Sequence, residues 1–248
     1  MKTDSSLKQL TPEATISQII SADKPAGELL ASIGLSIPKH EHETLRSVCQ
    51  QQKWSGKEVL KWIKRRAKFT NGKIESDESQ ELSTLTEFTV YLETQFISPN
   101  QTLLEELDQS IPRVHKVHGN QYTWLKNMQG YYHKFKEALD RYYQFEQETF
   151  FPLAGRLSGS KNGRINHGDI QKLEKAFRVI ERDQEQLQQH MISIREKGNN
   201  FENPGNACST LRIQNRNFTL LFSRLEVQFT KETDWLIPHL QQQLTARH

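Results

Sequence analysis

Tyr142-Tyr143-Gln144-Phe145-Glu146-Gln147-Glu148-Thr149-Phe150-Phe151-Pro152 and Gln228-Phe229-Thr230-Lys231-Glu232-Thr233-Asp234-Trp235-Leu236-Ile237-Pro238 are two copies of one pattern. Each places a glutamate four residues after an uncharged polar side chain and leads through aromatic and aliphatic residues to a proline. Residues four apart stack on one helix face, so each pair points one way. The helical stripe also chooses the register. Glu146 falls in line with Leu139 and Tyr142, whereas Glu148, which a literal alignment through Gln144-Phe145 would select, is turned off that face. Glu146 and Glu232 are the two carboxylates expected to face inward.

Working outward, the apolar positions repeat at helical spacing. Phe96, Ile97, Leu104, Leu107, Ile111 and Val114 share one stripe, and Ser98-Pro99 and Pro112 predict that this first helix is kinked or split. The second runs from about Tyr122 to Phe151. A Gly- and Ser-rich loop from Gly155 to Gly168, carrying Arg156, Lys161 and Arg164, leads to a third along Leu173, Ile180, Leu187 and Met191. After a loop from Gly198 to Asn206, a fourth carries Phe218, Leu221, Leu225, Gln228, Glu232 and Trp235. The expectation is an all-α chain with an antiparallel, up-down four-helix bundle over residues 85–243. A smaller helical domain, residues 11–68, precedes it. There Thr11-Pro12-Glu13 and Pro25 read as helix starts and Gly34 as a break. Residues 69–84, with Asn71-Gly72-Lys73, read as a linker.

Composition sets the outer limits. The 248 residues are 25% charged and 35% hydrophobic with a formal charge of +3, which suits one or two helical domains with a sizeable core. The densest basic run, Lys61 to Lys68, ends a predicted helix, where cations favour the helix dipole, and nucleic acid is not expected as a partner. Cys49 and Cys208 are too far apart in sequence to outline a disulfide framework or a zinc motif. No apolar leader or spanning segment is apparent, so a cytoplasmic protein with no membrane partner is expected. His40-Glu41-His42 reads as a solvated loop. No Ser/His/Asp set or phosphate loop appears, and an enzymatic role is not indicated.

Residues 85–240 resemble the hemerythrin-like domain of the RIC (repair of iron centres) family of iron–sulfur cluster repair di-iron proteins. The resemblance rests on Val117-His118-Gly119 after the first helix, on the two Glu-x5-Pro helix ends, and on Ala207-Cys208-Ser209-Thr210 before the last helix. Pro25-Ala26, Leu29, Gly34-Leu35, Leu45 and Val48-Cys49 similarly match that family's short leading domain. It implies an iron centre held by four histidines and two bridging glutamates, and a role in nitrosative or oxidative stress.

The ligands have been exchanged, however. The glutamates match Glu146 and Glu232, but the histidine positions fall on Ile97, Tyr142, Arg182 and Gln228. The leading domain's cysteine pair falls on Pro38 and Lys39. At helix three the family motif selects Arg182, while the apolar stripe turns it away. If Arg182 enters the core, its guanidinium could bridge the carboxylates. Otherwise Tyr142 and Gln228 would hydrogen-bond them, or one would be protonated. His118 is a candidate outer residue of the site.

Without imidazole a family-like iron centre is not expected, since only oxygen donors remain. The primary expectation is a diverged protein without cofactor, acting as a binding, regulatory or structural protein. A homodimer or another protein is left open as its partner. One alternative is a working repair protein holding iron or another divalent metal on Glu146 and Glu232, with Asp183 or Tyr142. The other is a small-molecule- or anion-binding bundle.

Overall fold

The computed structural model describes residues 7–70, 84–159 and 167–245, and these are all-helical, with no strand beyond an isolated bridge between Thr15 and Thr44. The expected linker falls almost wholly on residues 71–83, outside the described residues. Lys161 and Arg164 also lie outside them.

Helices α1 (Ile16–Ala22), α2 (Pro25–Ser32), α3 (Ile37–His40), α4 (Leu45–Gln51) and α5 (Gly56–Thr70) come first. Their boundaries have local causes. Thr15 caps α1 in a capping box with Gln18, Thr44 caps α4, and Pro25 sits at the start of α2. At the end of α2, Gly34 takes φ +97°, and Gly34 N–H and Leu35 N–H donate back to Ala31 and Leu30 carbonyls. That is a helix-closing turn in which a side chain would be strained. The inner faces of these helices, among them Ile16, Leu30, Ile33, Val48 and Ile63, form one apolar cluster.

A second and larger cluster belongs to the longer helices. Thr84, in a capping box with Glu87, starts α6 (Leu85–Leu92), which continues into α7 (Ser98–His118). Next come α8 (Trp124–Phe145) and α9 (Phe151–Gly159), then α10 (His167–Lys197), and finally α11 (Ser209–Lys231) and α12 (Ile237–Thr245). Helix α8 packs along α10 and also meets α7, which packs along α11. The stripe positions expected to be apolar and inward are buried, Phe96, Leu107, Phe218 and Leu225 among them.

One loop expectation and one expected helix interruption are corrected. Gly155 is helical, because Leu153 and Ala154 are buried and extend the apolar face of α9 past the proline. Pro112 does not break α7: Pro112 and Asp108 are both exposed, so the carbonyl that loses its N–H partner faces water.

The interruption at Ser98-Pro99 takes a different form, and it occurs three times. Five-residue π-helical segments, Glu93–Ile97, Glu146–Phe150 and Glu232–Leu236, separate α6 from α7, α8 from α9 and α11 from α12. Each begins at a glutamate whose carbonyl accepts from the N–H five residues on, at Ser98, Phe151 and Ile237. The next residue is a proline in every case: Pro99, Pro152 or Pro238. A proline ring crowds the preceding turn and brings no N–H, and one extra residue in that turn accommodates it without ending the helix. The twofold sequence pattern is thus two of three copies of one local device, with Glu93-x5-Pro99 as the third.

Candidate functional site

Two of these π segments carry Glu146 and Glu232 into the core, where both are fully buried; Glu93 is only partly so. Glu232 is surrounded by donors. Tyr142 Oη donates to its Oε2 through a short hydrogen bond, Gln184 Nε2 donates to the same oxygen at 2.7 Å, and Gln228 Nε2 donates to Oε1 at 2.8 Å. Gln184 Nε2 also reaches Tyr142 Oη at 3.0 Å. All three donors are buried, so this carboxylate is solvated by protein rather than water.

Glu146 is solvated poorly by comparison. Gln228 Nε2 is 3.4 Å from its Oε2, and its Oε1 accepts from no N–H or O–H donor. A buried carboxylate in that position is costly, and a neutral acid is not. Burial first, and then the neighbouring Glu232 charge, push Glu146 well above the usual carboxylate range. Burial also raises Glu232, against its hydrogen bonds from Tyr142, Gln228, Glu146 and Gln184. Both shifts favour the neutral acid over the carboxylate, and the poorer solvation of Glu146 makes it the member of the pair better suited to carry a proton.

The remaining negative charge connects to a cation through neutral amides. Arg224 is buried and donates from Nε to Asn100 Oδ1 at 2.8 Å and from Nη2 to the Gln95 carbonyl. Asn100 Nδ2 in turn donates to Tyr143 Oη at 2.9 Å and to Gln228 Oε1 at 3.4 Å, and Tyr143 Oη donates to Gln228 Oε1 at 3.3 Å. From Gln228 the next bond goes to Glu232. The N–H groups that link Arg224, Asn100 and Gln228 in series all run toward the carboxylate, so the amide dipoles reinforce one another. Burial lowers Arg224 to about 10, where it is still a cation at neutral pH.

The sequence expectations fare unevenly. Tyr142, Gln228, Glu146 and Glu232 are brought together, and Ile97 is buried nearby in the apolar cluster. The Arg182 bridge is overturned: its side chain is 69% exposed and pairs with Asp183 on the surface. Gln184 enters in its place, one turn after Ile180 and one before Leu187, as the apolar stripe requires. His118 is not part of the site either. It lies eighteen residues along α7 from Asn100, roughly 27 Å at helical rise, with Nε2 3.1 Å from Cys208 Sγ. Asp183 is turned toward Arg182 and adds no third carboxylate. His40 is not a solvated loop residue but buried, its Nδ1 2.7 Å from Glu43 Oε1. Asn100, Tyr143, Gln184 and Arg224 were not expected as site residues. The available signal was spacing, since Arg224, Gln228 and Glu232 follow one another at intervals of four.

A metal centre was tested against the donors present. Among the described residues no three His, Cys, Asp or Glu side chains are gathered as a metal site. Around the carboxyl pair, amide N–H and phenol O–H groups point at the oxygens a metal would need. These residues do not fit a di-iron centre. No family model matches the sequence. No helix among the described residues is long and apolar enough to cross a membrane.

Proposed function

We propose that this chain is a diverged hemerythrin-like four-helix bundle of the RIC type, and that it acts as a binding or regulatory protein rather than as an iron enzyme. The observation that carries this reading is the exchange of partners around Glu146 and Glu232. The pair keeps the inward placement of two bridging carboxylates, but the donors Tyr142, Gln184 and Gln228 take up the oxygens of Glu232 that metals would need. The antiparallel packing of α7, α8, α10 and α11 supports the bundle, and the small helical unit before it supports the two-part organisation. With its core closed, such a bundle offers its outer surfaces to a partner, either a second copy of the chain or another protein.

Metal content decides between this reading and a repair protein with oxygen ligands. Protein purified without a histidine tag and incubated anaerobically with ferrous iron is expected to retain far less than one iron per chain by elemental analysis. The triple variant Tyr142→His, Gln184→His, Gln228→His is expected to gain tight iron binding, because imidazole then replaces the three hydrogen-bond donors. Stoichiometric iron on the unmodified chain would overturn the proposal. Failure of a folded triple variant to bind would remove the claim of descent from a metal bundle.

A further inference from the structure

The two cysteines of the chain sit in opposite environments. Cys49 is buried in the apolar cluster of the small helical unit, and burial pushes its thiol up to about 11. Cys208 is only partly buried and stands at the N-terminus of α11, where its side chain makes no capping hydrogen bond. Its sulfur meets an imidazole instead. His118, the last residue of α7, brings Nε2 to 3.1 Å from Cys208 Sγ across 90 residues of sequence. Helices α7 and α11 pack along each other, so the end of one delivers the histidine to the start of the other.

The surroundings hold this pair in place. The His118 carbonyl accepts from Gln121 N–H at 3.0 Å and from Tyr122 N–H at 2.8 Å, and the turn so formed stacks the Tyr122 ring on the imidazole at 5.9 Å. Tyr122 Oη donates through a short bond to Asn206 Oδ1, two residues before the cysteine. The local charge is positive. Arg212, one turn into α11, donates from Nε to the Ala207 carbonyl at 3.1 Å, and its remaining N–H groups reach the carbonyls of Ile33, Pro204 and Gly205. Among the described residues no carboxylate pairs with it. One sulfur and one imidazole are too few for a metal, and no third His, Cys, Asp or Glu joins them among the described residues. A partly exposed thiol, a base within hydrogen-bond reach and an unpaired cation are instead the parts of a reactive cysteine.

We propose that Cys208 undergoes reversible thiol–disulfide exchange with anionic low-molecular-weight disulfides of the glutathione type, with His118 as its general base. With the ring hydrogen on Nδ1, Nε2 takes the thiol proton as Cys208 Sγ attacks one sulfur of the small disulfide. The new S–S bond forms at Cys208 and the old one breaks, its electron pair leaving on the departing thiolate, which then takes the proton from His118. The cysteine sulfur is oxidised and the departing sulfur reduced, so no other oxidant is needed. Arg212 favours a reagent that carries carboxylates. The proposal does not rest on Glu146 and Glu232, and a metal result there in either direction leaves it standing.

The test uses the full chain and glutathione disulfide at neutral pH, with the modified residue located by peptide mass spectrometry. Cys208 is expected to gain one glutathionyl group that dithiothreitol removes, and Cys49 of the folded chain is expected to gain none. Cys208 is expected to react about tenfold or more faster in the folded chain than in the urea-unfolded chain, a comparison that needs no variant. In His118→Gln, checked for folding by its melting temperature, the rate is expected to fall about tenfold, whereas a merely structural histidine would leave it unchanged. The ratio of folded to unfolded rates is expected to be smaller for the neutral hydroxyethyl disulfide. No adduct at Cys208, a folded-chain rate no higher than the unfolded one, or an unchanged rate in folded His118→Gln overturns the proposal. Equal ratios for the two reagents overturn the preference for an anionic one.

Discussion

Two buried carboxyl sites in this molecule solve one electrostatic problem in opposite ways. Glu106 lies at the joint between the two apolar clusters and is neutralised by contact with a cation, Arg66, itself almost fully buried on α5. Glu146 and Glu232 lie within the long helices with no cation in contact; burial favours a proton on the pair, and amides connect Glu232 to Arg224. The difference is one of supply. At the joint, a second helix with its own basic residues faces the carboxylate. In the core, four helices face one another through one layer of side chains, and Tyr, Gln and Asn fill that layer without a second charge. A carboxylate paired with a cation resists removal of the cation. A carboxyl pair held by a proton resists removal of the proton.

The largest expected effect comes from breaking the first site. Arg66→Ala leaves the buried Glu106 with only the 3.5 Å approach of the half-exposed Arg65 and is expected to cost about 3–5 kcal/mol, measured by urea denaturation. Within the second site, the two glutamates are expected to differ although the sequence pattern makes them equivalent. Glu232→Gln must turn its amide N–H₂ either toward Tyr142 and Gln184 or toward Gln228, all of which donate, and is expected to cost about 2–3 kcal/mol. Glu146→Gln copies the neutral acid and keeps a donor for Glu232, so it is expected to change stability by less than about 1 kcal/mol at pH 5.

The same asymmetry fixes a pH dependence. Glu146 is raised above its ordinary 4.5 by burial and by the Glu232 charge, so between 4.5 and its folded value the folded chain binds a proton that the unfolded chain has released. Stability from this group is complete below the unfolded pKa and falls as pH rises toward the folded one, by up to about 1.4 kcal/mol per pH unit. Glu232, also raised by burial, adds in the same direction. Denaturation midpoints measured from pH 5 to 8 are expected to fall for the unmodified chain and to flatten in Glu146→Gln. A wild-type midpoint that rises with pH would contradict the proton-sharing pair. The smallest effect is expected for Arg182→Ala, within about 0.5 kcal/mol, because its surface pair with Asp183 is solvated. A cost of several kcal/mol there would restore the buried bridge.

The sequence alone carried the helices, the inward glutamates and their partners Tyr142 and Gln228, because each sits on an uninterrupted apolar stripe. It left the third helix's contribution open, because a motif alignment to Arg182 competed with periodicity. Gln184 lies on the stripe through Ile180, Leu187 and Met191, and periodicity was the physically binding constraint. Asn100 and Arg224 were missed for another reason. A polar residue beside the stripe reads as solvent-facing unless its partner is known, and the partners here lie 124 and 128 residues away. The third π segment was hidden in the open. Glu93-x5-Pro99 repeats the spacing of the other two, but no polar residue stands inward beside Glu93 to draw attention to it. Helix-period reasoning also loses its register across a π turn, where one extra residue rotates everything beyond it.

The proton shared by Glu146 and Glu232 is the point on which this account turns, and infrared difference spectroscopy reads it directly. At neutral pH the chain is expected to show the carbonyl stretch of one buried, neutral carboxylic acid, which disappears in Glu146→Gln and is unchanged by added ferrous iron. A spectrum with both carboxyl groups ionised, or a neutral-acid band that vanishes when iron is added, would contradict it.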